Sequence, residues 1–495
     1  MELNKLYTFT PNLLNYLGLT LSKIYHLKRS ISYSKITYVF TFLLFASPIR
    51  AQIAETFYSK KEIIEDLNYV IDRFDHLAPK PYIRSDSLSI RLKKDNIIST
   101  LSDSVSTSVA RRTIAKFISS YRLGHSQMNF WALYIDSLPH FPFGVQIKNS
   151  KIFIETNSSN DAYLTPGIEI TSINNIGSDS LISELLSCMS LEFNETKEYY
   201  ISIYFDYMLR FYYEWHDPVF TLTLKNDDGS IMKGEYKKTG IDNSSGTITS
   251  GDPFFTDFKE DSIAQITIKR FSGFKRKTWH HFLKKSFQEI SNRGTPYLLI
   301  DIRGNEGGNS TYLRELAAYL SKENISFEGK MIRKTTLESK RYFRNYFFKW
   351  YTYPLYPLIL LNREARGVLV GKDGSIHISN EKPEKLPKVS YPYSGKVFLM
   401  TDRGTYSTAS MLASCFQCYG IAKIIGIGTG EPTIGDGDAV DVILSKTGCR
   451  FSVGTAIWLN PCFEKADQNQ MLIPDILCEQ SKEYEFLLKY LKEKQ

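Results

Sequence analysis

The sequence predicts an α/β protein in which a strand-and-helix domain over residues 251–495 follows a helical segment and a β-rich segment. Three observations carry this. Ile263–Ile268, a helical pattern holding Trp279, Phe282, Leu283, Phe287 and Ile290, and the apolar run Tyr297-Leu298-Leu299-Ile300 make a β-α-β unit, for which parallel pairing is expected. The apolar run Val397-Phe398-Leu399-Met400 passes through Arg403-Gly404-Thr405-Tyr406 to Ser407 and then to helix-forming residues, a second strand-to-helix corner. Short apolar runs at Val145–Ile147, Ile152–Glu155 and Val219–Leu224, the last closed by Asp227-Asp228-Gly229, are strand-like.

The chain is 495 residues long, with 42% hydrophobic and 23% charged residues, an ordinary globular composition and too much chain for one small core. The formal charge of +8 does not signal polyanion binding. Lys5, Lys23, Lys28, Arg29, Lys35 and Arg50 against Glu2 place most of it in residues 1–51, so the rest gives no argument for nucleic acid. Those residues read as an address. Lys28-Arg29 and Lys35 precede the apolar run Ile36–Ala46, and Ser47-Pro48-Ile49-Arg50-Ala51 offers a small residue for cleavage before Gln52. The run is short for a bilayer span, so the expectation is an exported protein, periplasmic or extracellular, without a stable membrane span once the leader is removed. An uncleaved anchor is the alternative.

In chain order, residues 52–130 are expected to form a helical domain. Ile63, Ile64, Leu67, Val70, Ile71 and Phe74 recur at helical steps until Pro79 and Pro81, and a second helix runs from Val105 to Ile118. Tyr121-Arg122-Leu123-Gly124-His125-Ser126 closes it. Residues 131–250 are β-rich, with a helix near Leu181–Leu186. Gly167 at a strand entry gives them a resemblance to a degenerate PDZ module, whose sheet edge can accept a peptide as an added strand; an inert spacer is the alternative. Residues 251–495 hold the β-α-β unit, the glycine-rich link Asp301–Asn309 and a helix over Tyr312–Leu320. They also hold a basic, aromatic insert, Lys340–Trp350, the Ser407 corner, the loop Thr429-Gly430-Glu431-Pro432 and the tail Gln468–Asp475. The insert suits aromatics packed on the body with Lys and Arg in water better than a membrane or nucleic-acid contact. Cys415 and Cys418 read as small buried residues, while Cys449, Cys462 and Cys478 could supply a disulfide.

Glycines between a strand and a helix let backbone N–H groups approach a ligand, and Ser407 at such a corner would project its hydroxyl beside unpaired N–H groups. That geometry serves acyl transfer; a simple helix cap is the alternative.

Three stretches, in order, resemble the tail-specific (C-terminal-processing) serine peptidase superfamily: Ile300-Asp301-Ile302-Arg303-Gly304-Asn305-Glu306-Gly307-Gly308, then Thr405–Ser410 with Gly426 and Thr429-Gly430, then Ile473-Pro474-Asp475. The likeness is to the branch of the tricorn core protease and the interphotoreceptor retinoid-binding protein. It implies a ClpP/crotonase-like β-β-α catalytic domain, with Ser407 as nucleophile and an oxyanion held by the N–H of Thr408 and one from Gly307 or Gly308. It further implies peptide-bond hydrolysis through an acyl-enzyme on peptide or protein substrates, with no cofactor or metal. The lysine base of C-terminal-processing proteases is replaced here by Pro432, and Asp436, between Gly435 and Gly437, cannot stand in for a neutral amine. The tricorn-like branch takes a histidine from the N-terminal part, which maps to His125, with a backbone-bonded loop histidine as the alternative. The tail acid maps to Gln468, with Glu464 and Asp467 nearby; glutamine orients an imidazole but brings no charge. A catalytically silent member binding peptides or lipids on the same fold is the alternative function.

Overall fold

The computed structural model describes residues 56–129, 137–239, 251–259, 262–347, 354, 356–361, 363–462 and 470–493. The leader and Gln468, Glu464 and Asp467 therefore lie outside the described residues.

The described residues open with β1 (Phe57–Ser59) and α1 (Lys60–Leu77). Ser59 and Glu62 cap α1 reciprocally, and its apolar stripe Ile63, Leu67, Val70, Ile71, Phe74 and Leu77 is buried. Next come α2 (Ser87–Thr100), β2 (Ser104–Ser106) and α3 (Thr107–Ser119). Only Ile90 of α2 is buried, which is why periodicity did not mark that helix. An antiparallel sheet follows, β3 (Phe143–Lys148), β4 (Lys151–Asn157), β5 (Glu169–Ile173), β6 (Ile176–Gly177), β7 (Phe220–Lys225) and β8 (Ile231–Tyr236), in the order β3-β4-β5-β7-β8 with β6 on β5. Helices α4 (Ser178–Cys188) and α5 (Asn194–Tyr213) lie between β6 and β7 in sequence. The long α5 has no expectation behind it. Its aromatic residues are poor helix formers, and Tyr204, at φ −104° and ψ 17°, interrupts the helical repeat. The helical and β-rich segments share one core, in which Phe74, Phe117, Ile152, Leu222, Leu181 and Phe205 meet Phe451 and Val453 from far down the chain.

The second part is built on a sheet ordered β18-β15-β14-β11-β10-β9. Its strands are β9 (Phe254–Lys259), β10 (Ile263–Ile268), β11 (Tyr297–Asp301), β14 (Lys396–Thr401), β15 (Lys423–Gly426) and β18 (Ile476–Leu477); α6 (Arg276–Arg293) connects β10 to β11. All neighbours pair parallel except β9 with β10, as the β-α-β pattern requires. Alternation along the strands supplies two buried faces. Ala264, Ile266, Leu298, Ile300, Val397, Leu399 and Ile424 face Trp279, Phe287 and Leu412. Ile263, Leu299, Phe398, Met400 and Ile425 face Leu487 and Leu491.

A smaller antiparallel sheet, ordered β13-β12-β17-β16, combines β12 (Lys330–Lys334), β13 (Ile376–Asn380), β16 (Ile434–Ile443) and β17 (Arg450–Leu459). The remaining helices are α7 (Leu313–Leu320), α8 (Leu337–Phe347), α9 (Tyr356–Ile359), α10 (Arg363–Val370), α11 (Thr408–Cys418) and α12 (Glu483–Glu493). In the basic insert Tyr342 and Phe343 are partly buried while Arg341 and Arg344 face water; Phe348, Lys349 and Trp350 lie outside the described residues. No described helix is long and apolar enough to cross a membrane.

The cysteine reading needs one correction. Cys418 is not a free core residue but is bonded to Cys462, while Cys415, Cys449 and Cys478 are buried thiols. The end of α11 is brought beside the end of β17, 5.9 Å between Cα atoms, a separation a disulfide accommodates.

Candidate active site

Strands β11 and β14 are neighbours, so their following loops meet at the carboxyl edge of the sheet, where open α/β sheets place their sites. Both loops are pinned by Asp402, whose Oδ1 accepts the N–H of Gly304 at 2.8 Å and of Gly404 at 2.9 Å. Tyr406 N–H donates to Asn305 O at 3.0 Å, and Thr405 O accepts Gly430 N–H and the Ser410 hydroxyl. Ser407 then sits at φ 54° and ψ −125°, a strained backbone for a residue with a Cβ, immediately before α11. Its hydroxyl makes no cap hydrogen bond.

That hydroxyl lies 3.2 Å from Nε2 of His125. Sequence separates the two by 282 positions, and β17 brings them together. Residues 125–129 dock along it: Ser452 Oγ donates to His125 O at 2.7 Å, Ser452 N–H to Gln127 O at 2.9 Å, and Asn129 N–H to Arg450 O at 2.8 Å. Asp436, on the paired strand β16, accepts the His125 N–H at 3.0 Å and the Ser126 hydroxyl at 2.6 Å. Its Oδ1 stands 3.8 Å from Nδ1 of the imidazole, and that buried nitrogen closes no hydrogen bond among the described residues.

Three of the other described imidazoles have carboxylate partners of their own. His140 pairs with Asp206, His280 with Glu315 and His76 with Glu338.

Three buried carboxyls act electrostatically on His125: Asp436, Glu431 and Glu192. Burial pulls the imidazole pKa down, but the Asp436 carboxylate, helped by Glu431 and Glu192, outweighs it and raises the value to about 9. Burial pushes Asp436 up, and His125 with the Ser126 hydroxyl overcomes it, so the acid is held below its ordinary range. Burial pushes Glu431 up to about 8, and it also raises Glu192, against the pull of Arg84.

On the other side of Ser407 the glycine link closes in. A Cβ on Gly307 would collide with Ser407 Cβ and Thr408 N, and one on Gly308 with the Phe271 carbonyl. Gly307 N–H is spent on Asn305 Oδ1 at 2.9 Å, and the Thr408 hydroxyl donates to Gly308 O at 2.8 Å. His125, Ser407, Thr408, Gly308, Glu431, Met411 and Trp458 line a cavity of about 310 Å³.

Residues 262–478 match the model of peptidase family S41. This segment is a serine-type S41 peptidase domain. Ser407 and Asp436 lie inside the S41 domain, whereas His125 and Glu192 precede it. A solved structure of a CPAF mutant matches with a TM-score of 0.63 at 14% identity, over 88% of this chain and 96% of that one. Mature CPAF complexed with lactacystin matches at 0.59 and 16%, over 88% and 97%. These neighbours extend the shared fold through the segments ahead of the S41 domain. No curated protein sequence matches the chain.

Sequence reasoning missed Asp436, Glu431 and Glu192. Sequence presents Asp436 only as a poor replacement for a lysine base, although its place between two glycines marks a tightly packed strand. A Cβ at Gly454 would strike its carboxylate, so small neighbours were the available signal.

Proposed function

We propose that the chain is an exported serine peptidase that hydrolyses peptide bonds through an acyl-enzyme on Ser407, with His125 as general base. The observation that carries this reading is the 3.2 Å approach of His125 Nε2 to the hydroxyl on a strained strand-to-helix corner. His125 Nε2 accepts the Ser407 proton as Oγ attacks the scissile carbonyl, then returns it to the leaving amine, and a water repeats the cycle on the ester. Asp436 supplies the negative charge that favours imidazolium, which Gln468, the residue mapped to the tail acid from sequence, cannot bring. The developing oxyanion is met by the N–H groups of Thr408 and Gly308, since that of Gly307 is already committed to Asn305. The β-rich sheet, whose edges are β3 and β8, is assigned as a PDZ-like module that presents peptide to the ClpP/crotonase-like domain. Export is supported by the leader pattern and by the Cys418–Cys462 bond, which suits an oxidising compartment.

Labelling with a fluorophosphonate tests the reading, because the reagent needs an activated serine. Wild type is expected to label, with Ser407→Ala silent and His125→Ala slowed about a hundredfold or more. Equal labelling of wild type and Ser407→Ala removes it.

A further inference from the structure

Glu192 lies in the link between α4 and α5, outside the S41 domain and away from both reacting residues in sequence. Its side chain is only 2% exposed. One carboxylate oxygen accepts the backbone N–H of Gly124 at 3.0 Å; the other accepts the Tyr406 hydroxyl at 3.3 Å. Gly124 immediately precedes His125, and Tyr406 immediately precedes Ser407. Arg84 Nε stands 3.9 Å from the first oxygen, and Arg122 donates to the Glu192 carbonyl at 3.3 Å.

We propose that Glu192 is a positioning residue for the reaction: a single carboxylate spans the residues beside the base and beside the nucleophile and fixes the distance between them. The inference rests on the serine-peptidase reading.

Two further facts support it. Gly124 has no room for a side chain, because a Cβ there would overlap the Tyr406 hydroxyl and crowd Glu192 Oε2, so backbone, carboxylate and phenol form one packed unit. The rings of His125 and Tyr406 lie 5.3 Å apart, so a displaced Tyr406 moves against the imidazole. Burying a carboxylate beside one imperfectly placed cation is costly, and an apolar residue would hold the link between α4 and α5 more cheaply. What an apolar residue cannot do is accept from both sides of the pair at once. Neighbouring α5 reinforces the same surface. Thr196 Oγ1 donates to Gly430 O at 2.8 Å, and the Tyr199 ring packs on Gly304 and Gly404.

Fluorophosphonate inactivation of the full chain separates positioning from stability, because misfolded molecules lower the final labelled fraction but not the rate constant of those that react. Glu192→Ala is expected to lower kinact about a hundredfold with KI within about threefold, the scale of a misplaced reacting group. Glu192→Gln, which keeps an acceptor for Gly124 N–H and a partner for Tyr406, should restore kinact to within about fivefold of wild type. Tyr406→Phe removes one hydroxyl and should cost about tenfold in kinact, which provides the test if Glu192→Ala does not fold. Wild-type kinact in Glu192→Ala, or in Tyr406→Phe where the first is unfolded, overturns the inference, as does a Gln variant no better than Ala. Wild type that labels no better than Ser407→Ala overturns the peptidase reading itself, and the inference with it.

Discussion

Ser407 holds a backbone conformation that costs about 1–3 kcal/mol for a residue with a Cβ. Glycine relieves that cost and loses only about 0.5–1 kcal/mol in chain entropy. Ser407→Gly should therefore unfold at a temperature equal to or above that of Ser407→Ala, both being inactive, as differential scanning calorimetry would read. A lower temperature for the glycine variant would mean that the corner is unstrained. In the proposed mechanism His125 sets the pH response. Its pKa is raised to about 9, so neutral imidazole accumulates on the alkaline side, and kcat/KM should climb from pH 6.5 towards 9. Asp436→Asn removes the charge that raises it, so the acid limb should move to lower pH while kcat falls about a hundredfold. The same shift is a stability statement. A raised folded-state pKa means that protonated His125 contributes stability fully below its ordinary value of about 6.5, and that this is lost as pH rises through about 9. Wild type should lose stability across that window more steeply than His125→Gln in urea titrations.

Among the elements, α11 follows directly on Ser407 and carries the disulfide at its end. Replacing both Cys418 and Cys462 by Ser should lower unfolding free energy by about 2–4 kcal/mol, measured by denaturant melts, and a change near zero would show the bond to be dispensable. The β-α-β core of the S41 domain was legible because apolar runs and their order leave few arrangements, whereas β12, β13 and β17 had no expectation behind them. Ile263–Ile268, the helix around Trp279 and the strand ending at Asp301 fall where periodicity puts them. Helix α5 was not legible, since its tyrosines spread round the helix and Tyr204 breaks the repeat. The reach of His125 to Ser407 could be assigned through a family likeness, but the carboxylates that tune it could not. Asp436, Glu431 and Glu192 come from a strand, a loop and a helix link, and only tertiary packing brings them round one ring.

For the molecule as a whole, the central sheet is buried on both faces, and the helix-side and tail-side layers pack through alternate residues of the same strands. Leu299, fully buried against the tail-side layer, should lose about 2–5 kcal/mol on truncation to Ala, and a loss below 1 kcal/mol would mean that this layer is loosely packed. The helical and β-rich segments share a core with β17, so His125 and Ser407 are joined by folding of the chain from residue 57 onward rather than by docking of a separate lid. Activity should accordingly vanish together with native fluorescence in a urea titration. The most direct measurement is mass spectrometric mapping of the chain after brief exposure to p-nitrophenyl acetate. An acetyl group on Ser407 in wild type, absent in His125→Ala, is the predicted result; ester or peptide cleavage with Ser407 never acylated would contradict the account.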